Sequence, residues 1–306
     1  MDLSVVVVSY NVAPLLERCL ESILAHPVPE MEVLVVDNAS ADGSARLVAE
    51  RFPHVALIAN ERNVGFGAAC NQAMRRASGR YFVFVNPDAE VQGDSLARLM
   101  AFLEARPRVA VAGGRLRYAD GSFQHSAFRF PSLAQVFLDF FPLQFLPHYG
   151  RLLDSRWNGR YPRDWEELAY PVDFSLGAFF IARRAAVEEV GPFDEGFFMY
   201  VEEVDWCFRF KLAGWEVWHC PVALALHHSG RSTIQSAAAM VVELHRSRWR
   251  FYRKHYSPLF RAAARAITWA GMSTQAAGAW WADRRAGGTL PERRAHARAC
   301  LQVLRL

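Results

Sequence analysis

An amide, a proline and a carboxylate stand together directly after an apolar run in this sequence. The run is Tyr81–Val85, and Asn86, Pro87 and Asp88 follow it. Because Pro87 has no N–H to donate to a sheet ladder, a strand over this run must end there. Asp88 then lies at the rim of a sheet, either as part of a turn or as an oxygen ligand of Mg²⁺ or Mn²⁺ beside substrate phosphates.

A second group of acids lies within an apolar segment further along the chain. Glu202, Glu203 and Asp205 occupy the start of a predicted helix. Acids in a first helical turn are favourable with the helix dipole, which is one interpretation. The other is a general base, since a carboxylate in a partly dry pocket can deprotonate a hydroxyl and adjacent acids raise one another's pKa. Both interpretations stay open on these residues alone.

Two adjacent histidines follow another strand-like run. His227 and His228 come after "LAL", and "SGR" ends this segment at Arg231. A histidine at such a place is either structural or, with Asp88 available, a metal ligand. Arg231 has the fork-shaped donor set that suits phosphate oxygens. The segment therefore indicates a possible second contribution to a cation and phosphate site.

Asp37 stands at the end of a third apolar run, "VLVV". An acid at a strand end can accept hydrogen bonds from a ribose or a base, or it can be the N-cap of the next helix. No GxGxxG follows the first strand, so the dinucleotide fingerprint is missing. In "NVGFGAACN", Asn63 and Gly65 precede a helix, where the glycine either lets the backbone approach a phosphate or only permits a turn.

The first 113 residues alternate strand and helix signals. The strand runs are "LSVVVVSY", "MEVLVVDNAS", "VALIAN", "RYFVFV" and "VAVAGG", and apolar stripes with helical spacing separate them. This alternation predicts βαβ units and a mainly parallel sheet. Ligands of such sheets bind beyond the carboxyl ends of the strands. One rim should therefore carry the polar residues just past the strand ends, which are Ser9, Tyr10, Asn11, Asp37, Asn38, Asn60, Asn63, Asn86 and Asp88.

The pattern changes after residue 113. The aromatic, proline-rich stretch "FPSLAQVFLDFFPLQFLPHYG" indicates a flap or insertion. It is either a packed side cluster or an apolar wall of a site for a second substrate, an acceptor. "VDFSLGAFFIARR" predicts a strand, "EEVDWCFRFKLAG" a helix that ends near Gly214, and "WEVWHCP" another strand. From about Ala237 the chain is predicted to be mostly helical, with a loop at "RRAGGTLPERR".

Composition indicates a globular protein. Of 306 residues 52% are hydrophobic and 22% are charged. The five cysteines are scattered, odd in number and without a CxxC pair, which favours neither a disulfide framework nor a thiolate zinc site. No stretch is a good transmembrane helix, and the N-terminus lacks the basic and apolar regions of a signal peptide. We therefore expect a cytoplasmic location.

The net charge of +4 is unevenly distributed. From His245 to the end, 13 Arg and Lys residues face only Asp283 and Glu292, a balance of +11, so residues 1–244 carry −7. Such a basic tail is either a solvated helical surface or is attracted to an anionic membrane or a pyrophosphate-bearing substrate. Nucleic acid is not indicated, since no stacking pattern or binding motif accompanies the charge.

Taken together, these strings resemble glycosyltransferase family 2, the inverting group with the GT-A fold, and in particular its bacterial rhamnosyltransferase-like members. The likeness covers residues 2–235 and is carried by motifs in family order. They are "VVVVSYN", "LERCLESIL", "VLVVDNASADGS", "NVGFGAACNQA", "GRYFVFVNPDAEV", "GAFFIARRAAVEEVGPFDEGFFMYVEEVDWCFR", "GWEVWHCP" and "HHSGRS".

The resemblance implies roles for individual residues. Asp37 matches the acid that contacts the donor base, and Asp88 the acid that helps to hold a divalent cation, Mg²⁺ or Mn²⁺, on the donor diphosphate. Asn86 stands in place of the first acid of that metal motif. Glu203 falls where the family has its base aspartate in an "ED" pair; because this chain has "EE", Asp205 is the alternative base. His227 matches a histidine that can bind the metal.

The resemblance also implies an activity and an organisation. A GT-A domain over 1–235, with a nucleotide-binding half (1–113) and an acceptor half (114–235), would precede a basic helical extension over 236–306. The implied reaction moves a sugar, by resemblance L-rhamnose from dTDP-rhamnose or another nucleotide-sugar, to a glycan or polyprenyl-linked acceptor, with one inversion. The rhamnose donor, the choice between His227 and His228, and phosphate or acceptor roles for Glu202, His228 and Arg231 stay hypotheses.

Two other classes of function stay open on the sequence. One is a nucleotide-dependent oxidoreductase on a doubly wound sheet, against which the missing glycine fingerprint counts. The other is a non-catalytic glycan- or lipid-binding member of the same fold, which the unusual "EE" pair leaves possible. The basic tail additionally predicts peripheral contact with the inner face of the plasma membrane.

Overall fold

The chain forms two compact units in a computed structural model that describes residues 1–141, 143, 152, 154–228, 237–286 and 290–306. The sheet unit comprises Met1–Phe130, Tyr161–Phe198 and the described part of Glu202–Ser232. The helical unit comprises the described parts of Pro131–Arg160, Met199–Val201 and Thr233–Leu306. The boundary predicted near residue 235 falls on residues outside the described ranges and stays a prediction.

The strands of the described residues all lie in the sheet unit. They are β1 (Leu3–Ser9), β2 (Met31–Asp37), β3 (Ala56–Ala59), β4 (Tyr81–Val85), β5 (Ala89–Val91), β6 (Val109–Arg117), β7 (Phe123–Gln124), β8 (Ala127–Phe128), β9 (Tyr170–Pro171), β10 (Phe174–Ser175), β11 (Phe179–Arg183) and β12 (Glu216–His227). The main sheet has the order β3-β2-β1-β4-β11-β6-β12-β5, with β7 beside β6 and β9 beside β12. Strands β8 and β10 form a separate pair.

The α-helices flank the sheet or build the helical unit. Those described are α1 (Ala13–Ala25), α2 (Ser44–Arg51), α3 (Phe66–Arg76), α4 (Ser95–Glu104), α5 (Leu133–Phe140), α6 (Arg184–Val190), α7 (Glu202–Leu212), α8 (Ala237–His255), α9 (Pro258–Arg285) and α10 (Pro291–Val303). Helices α5, α8, α9 and α10 belong to the helical unit. Among the described residues, no helix combines the length and the hydropathy needed to cross a bilayer.

The first four strands of the chain form the parallel part of the sheet. Strand β1 pairs in parallel with both β2 and β4, and β2 pairs in parallel with β3. All seven residues of β1 are buried, as expected for a β-branched run in a central parallel strand. The carboxyl ends of β1, β2 and β4 therefore lie at one edge, where Ser9 is in register with Asp37.

Alternate residues of the strands fill two separate cores. Val5 and Val7 of β1 pack with apolar residues of α1 and α4 on one face. Val6 and Val8 pack with residues of α3, α6 and α7 on the other. This alternation follows from the two-residue period of a strand and produces a three-layer α/β/α arrangement.

The second half of the sheet is largely antiparallel and differs in detail from the expected elements. Strand β11 runs antiparallel to β4 and β6, and β12 runs parallel to β6 but antiparallel to β5. The segment "VDFSLGAFFIARR", predicted as one strand, is divided into β10, a turn at Gly177 and β11. Strand β12 extends beyond the predicted "WEVWHCP" to His227, and this extension brings a histidine to the site.

Candidate functional site

The end of β4 and the end of β12 meet in one buried corner. His227 Nε2 lies 3.3 Å from Asp88 Oδ1 and 3.5 Å from Asn86 Nδ2. Both Asp88 and His227 are buried. Side chains of two motifs that lie far apart in the sequence, Asn86 and Asp88 in one and His227 in the other, are thus brought together in the sheet unit.

Backbone pairing fixes this corner. Strand β5 starts directly after Asp88 and pairs with the end of β12, so that Ala89 is in register with His227. The His228 N–H then donates to the Asp88 carbonyl oxygen at 2.9 Å. Because side chains alternate along a strand, this register directs the two adjacent histidines to different partners.

The two histidines have different neighbours accordingly. His227 presents its other ring nitrogen, Nδ1, to the Gln124 side-chain amide at 3.1 to 3.2 Å. His228 Nε2 lies 2.8 Å from Glu90 Oε1, and Arg18 Nε lies 3.5 Å from the same oxygen. His227 therefore accompanies Asp88, whereas His228 contacts Glu90, which Arg18 also approaches.

The corner has the donor types of a divalent-cation site. Asp88 supplies a carboxylate and His227 an imidazole, both suited to Mn²⁺, and Asn86 an amide. Among the described residues, no group of three His, Cys, Asp or Glu side chains could by itself enclose a metal. A cation held here would therefore take further oxygens from phosphate or water, which is how Mg²⁺ sites on substrate phosphates are usually completed.

The three acids of α7 face three different surroundings. The Cβ of Glu202 lies near Gly67 of α3, on the side of the second core. Asp205 is fully buried and accepts a hydrogen bond from Arg209 Nε at 2.8 Å. Glu203 points toward Gly177, since a Cβ added to that glycine would lie 3.8 Å from the Glu203 carboxyl carbon.

Glu203 has an unusual acidity. Burial raises the pKa of its carboxyl to about 7, against a reference value of 4.5, while the backbone N–H groups of Glu203 and Val204 act in the opposite direction. A carboxyl with a pKa near neutrality is half ionised at physiological pH and can both take and release a proton. Glu203 thus has the acidity expected of a general base.

A short path connects Glu203 to the cation corner. The turn at Gly177 packs against the Glu203 side chain, and the carbonyl oxygen of the next residue, Ala178, accepts a hydrogen bond from Asn86 N at 2.9 Å. The absence of a Cβ at Gly177 leaves space over the carboxyl. Glu203 and Asn86, which precedes Asp88 by two residues, are thus both in contact with the β10–β11 turn.

Helix α7 begins after a strained stretch of backbone. Tyr200 and Val201 have φ values of 66° and 70°, in the left-handed region. For a β-branched residue such as Val201 this conformation is a genuine outlier and costs about 1–3 kcal/mol. Strained residues of this kind cluster at functional sites, and these two stand immediately before Glu202 and Glu203.

The ends of β1 and β2 carry two buried polar atoms that lack partners. Ser9 Oγ and Asp37 Oδ1 have no hydrogen-bond partner among the described residues, although both residues are buried. The other Asp37 oxygen, Oδ2, accepts from the Ser40 N–H at 2.9 Å. Since unpaired buried polar atoms are destabilising, two of them at one register position favour a bound polar ligand.

Loops around this pair form a polar rim. Asn11, with φ 54°, accepts a hydrogen bond from Ala41 N at 2.7 Å and thereby ties the β1 loop to the β2 loop, while its neighbour Tyr10 is exposed. Asn60 Nδ2 donates to Asn38 Oδ1 at 2.9 Å. An open groove of about 460 Å³ beside these amides is lined by Ala59, Asn60, Glu61, Arg62 and Val64.

Asn63 and Gly65 have structural reasons for their identity. Asn63 Oδ1 accepts from the Gly65 N–H at 2.9 Å and shapes the turn before α3. Gly65 has φ 89°, and a Cβ there would lie 2.3 Å from the Phe198 carbonyl oxygen. A glycine is therefore required by both the backbone conformation and this close approach.

Several residues of the corner were not predicted from the sequence. Gln124 lies in the two-residue strand β7, and Glu90 lies two residues after Asp88. Glu90 stands in the same short string as Asp88, "NPDAEV", so this acid could have been noticed. No local signal indicated Gln124, and the predicted Arg231 lies outside the described residues.

Comparisons with known proteins agree with these features. Residues 4–191 match the family model for Glycosyl transferase family 2. The N-acetylglucosaminyl-diphospho-decaprenol L-rhamnosyltransferase of Mycobacterium tuberculosis is 31% identical over 275 residues, 86% of this chain and 88% of that protein. Rhamnosyltransferase WbbL of Escherichia coli is 27% identical over 213 residues, 66% of this chain and 70% of that protein.

Solved structures share the fold at lower sequence identity. Mannosyltransferase PcManGT from Pyrobaculum calidifontis, in complex with GDP-Man and Mn²⁺, has a TM-score of 0.59 and 20% identity, covering 98% of this chain and 85% of that chain. TarS of S. aureus has a TM-score of 0.54 and 18% identity, covering 87% and 42%. The expected GT-A fold is confirmed, and this chain belongs to glycosyl transferase family 2, in its rhamnosyltransferase-like branch.

Proposed function

We propose that the protein is an inverting, cation-dependent glycosyltransferase that moves a sugar from a nucleotide-diphosphate donor to a hydroxyl group of an acceptor. The observation that carries the proposal is the arrangement around the β10–β11 turn. The turn packs against Glu203, a carboxyl with a pKa of about 7, and accepts a hydrogen bond from Asn86, two residues before the Asp88 of the buried Asp88–His227 pair. Family membership supports glycosyl transfer, and these side chains supply the groups that the reaction needs.

The donor nucleotide is proposed to lie along the rim of the parallel strands. Ser9 Oγ and Asp37 Oδ1 would hydrogen-bond its base or ribose, since both atoms are buried without partners. Asp88 and His227, with Asn86 beside them, would hold Mg²⁺ or Mn²⁺ against the diphosphate. When bound, the cation neutralises negative charge on the leaving nucleoside diphosphate.

Glu203 is proposed to be the general base. Its carboxylate takes the proton of the acceptor hydroxyl as that oxygen forms a bond to the anomeric carbon, while the bond from this carbon to the diphosphate oxygen breaks. The electron pair leaves with the diphosphate, and a single displacement inverts the stereocentre. Asp205 fits this role less well, because it is fully buried and paired with Arg209.

The relatives suggest the classes of donor and acceptor. One is named an L-rhamnosyltransferase acting on N-acetylglucosaminyl-diphospho-decaprenol, and another a rhamnosyltransferase. We infer a rhamnosyl donor such as dTDP-L-rhamnose for this chain, and a polyprenyl-diphosphate-linked sugar as acceptor, in the synthesis of a cell-surface polysaccharide. A lipid-linked acceptor places the protein at the cytoplasmic face of the membrane.

A binding and transfer screen tests this proposal. Thermal shifts are measured with dTDP-rhamnose, other nucleotide-sugars and the free nucleotides, each with Mn²⁺, with Mg²⁺ and with EDTA. We expect stabilisation by one nucleotide-sugar only when a cation is present, followed by transfer to a short-chain lipid-linked acceptor. Stabilisation that persists unchanged in EDTA contradicts cation dependence, and the absence of any transfer contradicts the enzymatic proposal.

The same screen addresses the other two classes of function. A non-catalytic member of the fold would bind a donor or a glycan but transfer nothing with any acceptor. A nicotinamide-dependent oxidoreductase would be stabilised by NAD or NADP, for which the family match gives no support. The Glu203 acidity favours catalysis over binding alone, since a binding site gains nothing from a carboxyl that is half protonated at neutral pH.

A further inference from the structure

The longest described helix, α9, exposes large apolar side chains. It has 28 residues and is therefore about 42 Å long. Trp269, Trp280 and Trp281 are 45%, 55% and 54% exposed, and Leu259 at its start is 80% exposed. Trp269 and Trp280 are about three turns apart and so lie on the same side of the helix, with Trp281 adjacent.

Apart from the tryptophans and the arginines beside them, the exposed positions of this stretch are small and uncharged. From residue 262 to residue 278 they are Ala262, Ala266, Ala270, Ser273, Thr274, Ala277 and Gly278. The opposite side of α9 is used for packing, because Ala264, Thr268, Gly271, Met272 and Ala279 are buried. Gly271 lies directly against the Phe140 ring of α5. One face of α9 thus belongs to the core of the helical unit, and the other is an apolar surface with no partner among the described residues.

Arginines accompany each exposed tryptophan. The guanidinium of Arg265 lies 4.9 Å from the centre of the Trp269 ring, and that of Arg284 lies 5.1 Å from Trp280. Arg285 lies 3.6 Å from Trp281. Such pairs place a cation over the face of a large ring, and the long arginine side chain can keep its charge near water or anionic groups while the ring contacts an apolar phase.

Negative charge is missing from this face. Asp283 is the only acid in α9, and it is buried and accepts from Arg294 Nε at 2.9 Å. The segment from His245 onward carries a balance of +11, whereas residues 1–244 carry −7. The apolar face therefore lies within the basic part of the chain. This combination fits a surface that is both negatively charged and apolar better than it fits the acidic residues 1–244 of another copy.

We propose that the exposed face of α9 lies in the interface of an anionic lipid bilayer, with its tryptophans at the depth of the headgroups and its arginines on lipid phosphates. Long amphipathic helices with tryptophan on one side and arginine beside it bind membranes in this way. The inference deepens the proposed function and rests on it for the lipid-linked acceptor. Membrane binding itself requires no sugar transfer. It assigns the contact to one helix face rather than to the basic charge of the tail in general.

Vesicle binding by the full-length protein tests the proposal. The parent and the triple variant Trp269→Ser, Trp280→Ser, Trp281→Ser are floated with vesicles of phosphatidylglycerol and phosphatidylcholine, and with phosphatidylcholine alone. Trp157→Ser is the matched control, because Trp157 is 53% exposed but lies outside α9. Circular dichroism and melting confirm that each variant is folded, which is expected since each substituted side chain is about half exposed and none belongs to the buried core.

We expect the triple variant to lose at least about tenfold in affinity for anionic vesicles, with the Trp157→Ser control unchanged and neutral vesicles bound weakly. Equal flotation of parent and triple variant overturns the proposal, as does equal binding to neutral and anionic vesicles. A parent that is a dimer, becomes monomeric with the three substitutions and does not float shows instead that a second copy covers this face.

A separate assay keeps this test distinct from the proposed activity. Transfer to a short-chain, water-soluble analogue of the acceptor should be the same for the parent and the triple variant, because the substitutions lie outside the sheet unit. If no transfer occurs with any donor while vesicle binding follows the expectation, the proposed function fails and the membrane surface stands. If transfer occurs but flotation does not depend on the tryptophans, the reverse holds.

Discussion

The sheet unit and the helical unit each have an unfavourable feature, and the two features are of opposite kinds: buried polar groups in one and exposed apolar side chains in the other. The sheet unit buries two polar atoms without partners, Ser9 Oγ and Asp37 Oδ1, and holds a half-buried carboxyl, Glu203, whose pKa is raised to about 7. The helical unit instead exposes Trp269, Trp280 and Trp281 to solvent. Both arrangements are unfavourable in the isolated chain.

The difference indicates what each unit meets. A buried polar atom is satisfied by a small, polar molecule that enters a pocket, whereas an exposed apolar face is satisfied by an extended apolar surface. We therefore expect changes in the sheet unit to alter donor binding and transfer without altering vesicle binding, and changes on α9 to do the opposite. The following experiments test this separation of roles between the two units, in order from the largest expected effect to the smallest.

Removing the proposed base should have the largest effect. Glu203→Gln keeps the shape of the side chain but cannot accept a proton, so we expect kcat to fall by about 10²–10⁴-fold with donor affinity nearly unchanged. In the parent, kcat should fall about tenfold per pH unit below pH 7, because the carboxylate must be ionised. Transfer by the variant at the parental rate would show that another group, with Asp205 as the candidate, is the base.

The same substitution has an opposite effect on stability. The folded-state pKa of Glu203, about 7, exceeds the reference value of 4.5, so ionisation opposes folding. The resulting penalty is absent below pH 4.5, grows between pH 4.5 and 7, and is complete above pH 7. Glu203→Gln should therefore raise the unfolding free energy by about 1–3 kcal/mol at pH 8 but not at pH 4.5. Chemical denaturation at both pH values measures this, and destabilisation at pH 8 would indicate a structural role.

Asp88→Asn is expected to act at the donor-binding step. The substitution removes the negative charge that would hold a cation beside His227. The affinity for the donor in the presence of the cation should therefore fall about 10–100-fold. Calorimetric titration of the donor with and without Mn²⁺ measures the change. Asp94→Asn, at an exposed site, is the matched control. An unchanged requirement for the cation would remove Asp88 from the site and leave the buried pair as a structural contact.

Gln124 provides a smaller and more selective test. If His227 binds the cation through Nε2, its Nδ1–H must donate to the Gln124 amide oxygen, which fixes the orientation of the ring. Gln124→Met fills the same space without this hydrogen bond, and we expect the Mn²⁺ concentration needed for half-maximal activity to rise about 10–100-fold. At saturating Mn²⁺ the rate should approach that of the parent. A lower rate at every Mn²⁺ concentration would indicate a general loss of structure instead.

The sequence predicted the parts of this site that local signals determine. The end of β4 at Asn86 and the rim position of Asp37 follow from apolar runs and one proline, which act over a few residues. The choice between His227 and His228 could not be predicted, because it depends on the register of β12 with β5, more than 130 residues earlier in the chain. Gln124 was missed since a two-residue strand has no recognisable period. The exposed face of α9 was missed because alanine and glycine give little contrast between its two sides.

Asp37→Asn should have the smallest effect of these substitutions and the most informative one for the comparison between the units. In the free protein it replaces a buried carboxylate, whose Oδ1 lacks a partner, with a neutral amide that can still accept from the Ser40 N–H. Removing an incompletely paired charge should leave the melting temperature unchanged or slightly higher. Donor affinity, in contrast, should fall about tenfold, because a charge-assisted hydrogen bond to the nucleotide is replaced by a weaker one. The exposed Asp120→Asn serves as control, and melting curves with and without the nucleotide measure both quantities. If Asp37→Asn destabilises the free protein and leaves donor affinity unchanged, the carboxylate serves the fold. The contrast between a sheet unit that awaits a polar ligand and a helical unit that awaits a surface would then have lost half of its support.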